Sequence, residues 1–117
     1  MLREEMVRLV ENYLEGLLTK DPSKFSLHEN VRFEGPQMPT LNGRQTVLGF
    51  LQKIMFPAVK NIQVKQHIVE GDYVATVFDM ETIHGVEHVF DLIQVCDGQI
   101  SAVHAFFYPQ QRAGGQP

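Results

Sequence analysis

Three turn signals divide the second half of the sequence into long β segments and restrict the fold more than any other feature. The turns are Gly71-Asp72, Gly85 and Asp97-Gly98. Asp-Gly between apolar segments favours a tight hairpin, because such a turn requires positive φ angles. The β segments predicted around these turns are 61–68, 73–83, 86–96 and 99–108.

These segments predict a strongly curved antiparallel sheet. In 61–68, Ile62, Val64 and Ile68 alternate with polar residues, which is typical of a strand with one buried face. The three segments after residue 72 have about twice the usual strand length of roughly 5–6 residues, so the sheet is expected to twist and coil.

The first half of the sequence predicts a helix and a short strand. Apolar residues recur at spacings of three and four over 3–18, which indicates an amphipathic helix. Asp21-Pro22 is a start signal for a short second helix. Residues 31–34 are predicted to form a brief strand that Gly35-Pro36 ends.

A further helix is predicted over 43–55. Asn42 and Gln45 have the spacing of an N-cap pair, and an apolar helical face follows them. Pro57 is expected to end this helix. The segment that precedes it, up to Leu41, is predicted to be a loop.

Together these elements predict an α+β fold in which a conical, curved antiparallel sheet wraps around the N-terminal helices. A curved sheet has a concave face, and amphipathic helices need an apolar surface on which to bury theirs. We expect a single domain over 1–109 and a disordered polar tail over 110–117.

Composition restricts the class of protein. The 117 residues are 44% hydrophobic and 21% charged, as in ordinary globular proteins, and carry a net charge of −4. That charge argues against a nucleic-acid partner, which requires clustered Lys and Arg. The first six residues are too charged for a signal peptide, and no apolar run approaches the roughly 18–20 residues that span a bilayer.

The single cysteine, Cys96, cannot form an internal disulfide. It lies beside a predicted turn within an apolar strand, so we expect a buried structural thiol. Together with the charged N-terminus, this favours a cytoplasmic location.

Three residues stand where packing alone would favour apolar side chains or where a loop could cover a pocket. Tyr13 lies on the buried stripe of the first helix, Asp91 lies between apolar neighbours in a strand, and Glu34 ends the short first strand. A carboxyl in an apolar site has a raised pKa and stays protonated near neutral pH. Asp91 and Tyr13 are then two hydrogen-bond donors for a developing oxyanion, while Glu34 stays ionised and acts as a base.

Each residue also has a structural interpretation. Tyr13 is then a core residue with its hydroxyl at the rim. Glu34 is a solvated turn residue. Asp91 is paired with an arginine or with backbone donors, because an unpaired carboxylate among apolar neighbours is costly.

A possible zinc motif is rejected. His84-Gly85-Val86-Glu87-His88 matches H-x-x-E-H, but that chemistry needs both histidines on one helix face, and Gly85 marks a hairpin. The remaining histidines, His28, His67 and His104, are scattered and expected to be exposed or at an interface.

The order of these elements resembles the nuclear transport factor 2-like superfamily. The resemblance covers about residues 3–109 and includes Asn42-Gly43-Arg44 at the start of a helix and Asp97-Gly98 in the last hairpin. It implies a conical, cystatin-like α+β fold. The superfamily includes polyketide cyclases (SnoaL-like proteins), epoxide hydrolases, scytalone dehydratase, ketosteroid isomerases and noncatalytic proteins, so it does not fix a reaction.

Within that superfamily the residues are most similar to bacterial ketosteroid isomerase. Tyr13, in the helix Leu9–Glu15, falls on the oxyanion-hole tyrosine, and Asp91, in Val89–Ile93, falls on the protonated aspartic acid. Counting back from Gly43-Arg44 places the general base on Glu34, which is one methylene longer than the isomerase's aspartate. The segment between Tyr13 and Glu34 is shorter than in the isomerase, so a pocket of different size is expected.

The resemblance implies a small hydrophobic substrate and no metal or organic cofactor. Its pocket is expected to be lined by Phe50, Ile54, Val103, Ala105 and Phe107. We expect a homodimer formed through the convex sheet face, where Phe90 and Leu92 are too apolar to remain in water.

Four functions remain open. The chain is a cofactor-free enzyme that moves a proton next to a carbonyl, a noncatalytic binding protein with the same pocket, an assembly module, or a hydrolase or cyclase of the same fold. Catalysis requires Tyr13, Glu34 and Asp91 to converge on one cavity. Binding requires only the cavity, and assembly alone predicts a filled interior.

Overall fold

The computed structural model describes residues 1–108, which form six strands and a set of helices on one side of a curved sheet. The elements are α1 (Arg3–Thr19), a 3-10 turn (Pro22–Lys24), β1 (Leu27–Glu34), β2 (Leu41–Asn42), α2 (Arg44–Phe50), a π-helical turn (Leu51–Met55), α3 (Phe56–Ala58), β3 (Val59–Glu70), β4 (Tyr73–Thr82), β5 (Gly85–Cys96) and β6 (Gln99–Phe107). The predicted tail, 110–117, lies outside the described residues.

The sheet has the order β2-β1-β6-β5-β4-β3. The four long strands β3 to β6 form an antiparallel meander, as the turn signals predict. Gly71, Gly85, Asp97 and Gly98 all have positive φ angles at its hairpins. The α+β fold class is therefore confirmed, and the rejected zinc motif lies on a hairpin and not on a helix.

Strand β1 differs from the prediction. It begins at Leu27 and not at residue 31, and it pairs in parallel with β6 through Arg32, Phe33 and Glu34. Its register shifts between Leu27 and Arg32, where the intervening residues bulge. This parallel pair joins segments about 70 positions apart in sequence, so no local turn signal predicts it.

The helix predicted over 43–55 begins and ends differently. Asn42 lies in β2 and pairs with Arg32, and the N-cap is Gly43, which provides no side-chain cap. The N–H of Gly43 donates to the carbonyl of Val31 at 2.8 Å, which fixes this segment to β1. The helical backbone continues through the π-helical turn and α3 and ends at Ala58, one residue after Pro57, where Val59 becomes extended.

The core lies between α1 and the concave sheet face. One stripe of α1 is buried, and it consists of Met6, Leu9, Val10, Tyr13, Leu14, Gly16 and Leu17. Each large apolar side chain buried in this way stabilises the fold by about 1.5–3 kcal/mol. On β4 the even-numbered residues from Val74 to Met80 face this core, which identifies the inner face of that strand.

Gly16 is required where α1 ends. A Cβ at this position would lie 2.6 Å from Cε1 of Phe25 and 3.0 Å from the carbonyl oxygen of Asp21. The chain turns back here through Lys20, which has a φ of 60°. The missing side chain lets Phe25 reach the ring of Tyr13, with 5.4 Å between ring centroids.

Two further expectations are wrong. Cys96 is exposed, because strand alternation turns Val95 inward and Cys96 outward at the end of β5. His67 is not a surface histidine, since only 10% of its side chain is exposed. Among residues 1–108, no helix combines the length and the apolar character that crossing a bilayer requires.

Candidate active site

A cavity of about 210 Å³ lies between α1, the concave sheet face, the loop after β1 and the helical segment 44–58. Its walls are mostly apolar. The apolar side chains that line it are Leu17, Phe33, Pro36, Met38, Phe50, Ile54, Met55, Phe78, Met80, Val89, Ala105 and Phe107. The polar residues in the wall are Tyr13 and Asp91.

Tyr13 reaches the cavity from α1 and is 2% exposed. Burial raises the pKa of its phenol well above the ordinary value of 10.0, and the nearby charge of Asp91 raises it further. The hydroxyl therefore keeps its proton at all physiological pH values and acts as a hydrogen-bond donor.

Asp91 reaches the cavity from the centre of the sheet and is 4% exposed. Its strand neighbours are Thr76 on β4 and Ala105 on β6. Its Oδ1 atom has no hydrogen-bond partner among the described residues. Burial raises the pKa of the carboxyl from 3.8 to about 7, so below that pH the group is a neutral donor.

The pairing that would make Asp91 purely structural is not seen for Oδ1 in residues 1–108. A buried polar atom without a partner is costly, and such atoms are rare in folded proteins. The atom belongs to a residue of the cavity wall, so a bound molecule is the natural source of the missing hydrogen bond.

Glu34 does not join this pair. Its carboxylate accepts a hydrogen bond from Nε of Arg32 at 2.9 Å, and both side chains are partly exposed. The neighbours Phe33 and Gly35 line the cavity instead. Alternation along β1 thus turns Glu34 to the other side of the sheet. Of the three residues predicted to converge on the cavity, Tyr13 and Asp91 line it and Glu34 does not.

Four of the five predicted apolar wall residues line the cavity: Phe50, Ile54, Ala105 and Phe107. Val103 does not. It shares a strand face with Ala105 but lies deeper in the core, between Phe33 and Ile93, and is almost fully buried.

The other wall residues are not evident from the sequence, for two reasons. Phe78, Met80 and Val89 follow from strand alternation once the inner face of β4 is known. Met38 and Met55 come from a loop and a π-helical turn, for which the sequence carries no periodic signal.

A polar row continues from Asp91 across the concave face. Thr76, opposite Asp91, is fully buried, and its Oγ1 lies 2.8 Å from Nδ1 of His67 on β3. Nε2 of His67 lies 3.3 Å from the Glu11 carboxylate on α1. The row ties the helix to the sheet beside the cavity.

The wall does not supply a metal-binding set. Within residues 1–108, its ionisable groups are one carboxyl and one phenol, whereas zinc normally takes three or four protein ligands. The arrangement instead offers two neutral donors in an apolar enclosure, which suits an oxygen that carries or develops negative charge.

Solved structures similar to this chain share its fold. A Kribbella flavida protein provisionally named a ketosteroid isomerase has a TM-score of 0.82 and 24% identity, over 93% of this chain and 82% of its own. An NTF2-like protein of unknown function from Cytophaga hutchinsonii has a TM-score of 0.78 and 24% identity, over 89% of this chain and 90% of its own. An LEH-like epoxide hydrolase of M. tuberculosis has a TM-score of 0.80 and 20% identity, over 90% of this chain and 84% of its own.

At these identities the likeness shows the fold alone, and it confirms the predicted nuclear transport factor 2-like architecture. No curated protein matches the sequence significantly. The family model described as "Domain of unknown function (DUF4904)" matches residues 1–112. The chain therefore belongs to the DUF4904 family, and it has the fold of the nuclear transport factor 2-like superfamily.

Proposed function

We propose that the protein binds a small apolar molecule through one oxygen atom, which accepts hydrogen bonds from Tyr13 and from protonated Asp91. The observation that carries this proposal is the buried Asp91 Oδ1, which has no partner in residues 1–108 and belongs to the cavity wall. A carbonyl or phenolate oxygen would supply the missing interaction, and hydrogen bonds to charged acceptors are stronger than neutral ones.

The size of the cavity favours a compact ligand. Its volume of about 210 Å³ is below the range of about 300–1,000 Å³ found for pockets that hold drug-sized molecules. One or two rings suit this space better than a steroid. The apolar wall favours a ligand whose remaining surface is hydrocarbon.

The test compares phenol with toluene, which has the same ring and no oxygen, by calorimetry on the full chain. We expect phenol to bind about fivefold more tightly, because one net hydrogen bond contributes about 1 kcal/mol. Asp91→Asn keeps a donor and is expected to retain part of this preference. Asp91→Leu and Tyr13→Phe are expected to lose it, while Glu34→Gln serves as the matched control and leaves it unchanged. Equal binding of phenol and toluene by the wild type would refute the proposal.

A second candidate function is proton transfer next to a carbonyl, with Asp91 as the group that exchanges the proton and Tyr13 as the donor to the oxygen. It is supported by the pKa of Asp91, about 7, because an acid or base works best when its pKa lies near the working pH. Glu34 has no part in this scheme, since its carboxylate is paired with Arg32.

Deuterium exchange into a panel of small β,γ-unsaturated ketones tests this second function. We expect exchange with the wild type and with Glu34→Gln, and none with Asp91→Asn. Deuterium exchange that persists in Asp91→Asn would show that Asp91 is not the group that transfers the proton. A wild type that binds the ketones without exchanging deuterium would leave binding as the function.

We also propose a second copy of this chain as partner, bound to the convex sheet face. Val77, Phe90 and Phe106 lie side by side across β4, β5 and β6. The rings of Phe90 and Phe106 are 5.9 Å apart, and these residues are 36% and 45% exposed. His104 stacks on Phe106 at 4.2 Å and extends the patch. Symmetric pairing would cover this surface. The cytoplasmic location stays a prediction.

A further inference from the structure

Three side chains with different donor atoms meet at the end of the β5–β6 hairpin. His28, Cys96 and Asp97 each offer one ligand atom, and these atoms lie within 4.8 Å of one another. The set depends on the parallel pairing of Leu27 with Ile100, which brings β1 beside the hairpin. It also depends on the turn, where Asp97 adopts a φ of 54°.

The donor set selects a particular class of metal. Imidazole nitrogen, thiolate sulfur and carboxylate oxygen together suit zinc, whereas calcium and magnesium take oxygen ligands. With Zn–S near about 2.3 Å and Zn–N or Zn–O near about 2.0–2.2 Å, ligand atoms of a tetrahedral site lie roughly 3.3–3.7 Å apart. The Sγ of Cys96 and the Oδ2 of Asp97 are already 3.7 Å apart. Small rotations of the side chains would bring the third atom into range.

The surroundings of these three side chains carry negative charge. Asp72, in the neighbouring β3–β4 turn, is close enough for its charge to act on Cys96. Its carboxylate accepts a hydrogen bond from Gln94 at 3.2 Å and is thereby held in place. Cys96 and Asp97 are both exposed, so a water molecule can reach the hairpin as a further ligand.

We propose that His28, Cys96 and Asp97 bind a zinc ion whose fourth ligand is water. Binding replaces the thiol proton of Cys96 by the metal, and that proton leaves to solvent. The site is separate from the cavity, because Cys96 lies five residues along β5 from Asp91, about 17 Å away. The proposal therefore does not depend on the ligand of the cavity.

One hydrogen bond must break when the metal binds. The N–H of Asn30 donates to Nδ1 of His28 at 3.0 Å. If Nδ1 binds zinc, its lone pair is used, and if Nε2 binds zinc, Nδ1 carries the ring proton. In both cases the Asn30 amide loses its acceptor. Because Asn30 is not a ligand, its amide is an independent reporter of metal binding through His28.

The experiment titrates Zn²⁺ into the full chain, with affinity measured by calorimetry and the Asn30 amide followed by NMR. We expect one zinc ion per chain and a large shift of the Asn30 resonance that saturates together with the heat. Substitution by Co²⁺ is expected to give a thiolate-to-metal absorption band. Asp97→Asn, which suits the left-handed turn, and Cys96→Ser are each expected to weaken zinc binding about tenfold or more.

His84→Gln is the matched control, since His84 is an exposed histidine in another hairpin, and it is expected to bind zinc as the wild type does. Three results would each overturn the proposal. These are zinc binding by Cys96→Ser as tight as that of the wild type, an Asn30 resonance that does not move at saturation, and a wild type that does not bind zinc.

Discussion

Thr76 and Asp91 lie directly opposite each other on β4 and β5, yet the hydroxyl of Thr76 pairs with His67, at 2.8 Å, and Oδ1 of Asp91 has no partner within residues 1–108. The nearest polar neighbour across the sheet is thus engaged elsewhere. This leaves the carboxyl of Asp91 available to a molecule in the cavity, and its burial without a charged partner is what raises its pKa.

Asp91 is expected to lower the free energy of unfolding at neutral pH. Its pKa is about 7 in the folded protein, against an ordinary value of 3.8, so between these values the folded state holds a proton that the unfolded state has lost. Stability from this group is complete below pH 3.8 and falls as the pH rises to about 7. At about 1.36 kcal/mol for each unit of pKa, the full loss is on the order of 4 kcal/mol.

Asp91→Asn removes this titration. Urea unfolding at pH 5 and pH 8 should therefore show that the variant gains stability over the wild type as the pH rises. The Glu34→Gln variant is the control, since it keeps Asp91. A stability difference between Asp91→Asn and wild type that is the same at both pH values would contradict the assignment.

Binding of an anionic ligand is expected to weaken above about pH 7. A phenolate oxygen needs the proton of Asp91, and the ionised carboxylate would repel it. Calorimetric titration with 4-nitrophenolate from pH 7 to pH 9 should show a falling affinity in the wild type. In Asp91→Asn the affinity should not fall, and a parallel fall in both proteins would place the titrating group elsewhere.

Gly16→Ala is expected to destabilise the protein by about 1–2 kcal/mol. The new methyl group would lie 2.6 Å from Phe25, whose ring is packed between Tyr13 and Phe56. Overpacking of about 1–3 kcal/mol then outweighs the gain in helix propensity of up to about 1 kcal/mol.

Gly49→Ala provides the matched control, because a Cβ at Gly49 in α2 meets nothing within 4 Å. This variant is expected to be more stable than the wild type by up to about 1 kcal/mol. Thermal unfolding of both variants should give shifts of opposite sign, and shifts of the same sign would refute the close approach at Gly16.

Thr76→Val is expected to cost about 1–3 kcal/mol of stability, because it leaves Nδ1 of His67 without its partner in a largely buried position. Thr46→Val, at an exposed position of α2, should change stability by less than about 0.5 kcal/mol. Chemical unfolding measures both. A Thr76→Val protein as stable as Thr46→Val would show that the hydrogen bond contributes nothing.

Phe90→Glu is expected to convert a dimer into a monomer, because it places a charge in the centre of the convex patch. Ile83→Glu, an equally apolar-to-acidic change at an exposed residue outside the patch, should leave the dimer intact. Light scattering at micromolar concentration gives the masses. A monomeric wild type would contradict the proposal that a second copy binds to this face.

The sequence predicts some parts of this molecule far better than others, and the difference follows from how local each signal is. Asp97-Gly98 specifies its hairpin within two residues, and Asp91 stands out because its same-face neighbours along its own strand, Val89, Ile93 and Val95, are apolar. Tyr13 is found in the same way, on the buried stripe of α1.

The sequence predictions differ from the structure where a residue's position depends on strands distant in sequence, or on the exact number of residues between two positions. Pairing of β1 with β6 is invisible to local patterns, and with it the position of His28. Counting back from Gly43-Arg44 predicts the base at Glu34, and a shift of one residue along a strand turns a side chain to the opposite face. The His67 side chain is only 10% exposed and contacts Thr76 and Glu11, which belong to other elements.

The π-helical turn at Leu51–Met55 gives the cavity wall an adjustable geometry. The N–H of Phe56 donates to the carbonyl of Leu51, five residues back, so this turn holds one residue more than a regular helix. Losing one exposed residue here, such as Gln52, would restore an α-helix while the helical residues before and after the turn keep their places. The change would fall on the turn itself, which carries the wall residues Ile54 and Met55. A single-codon deletion can thus reshape the pocket without disturbing the sheet. New ligand preferences can therefore evolve through one small genetic change.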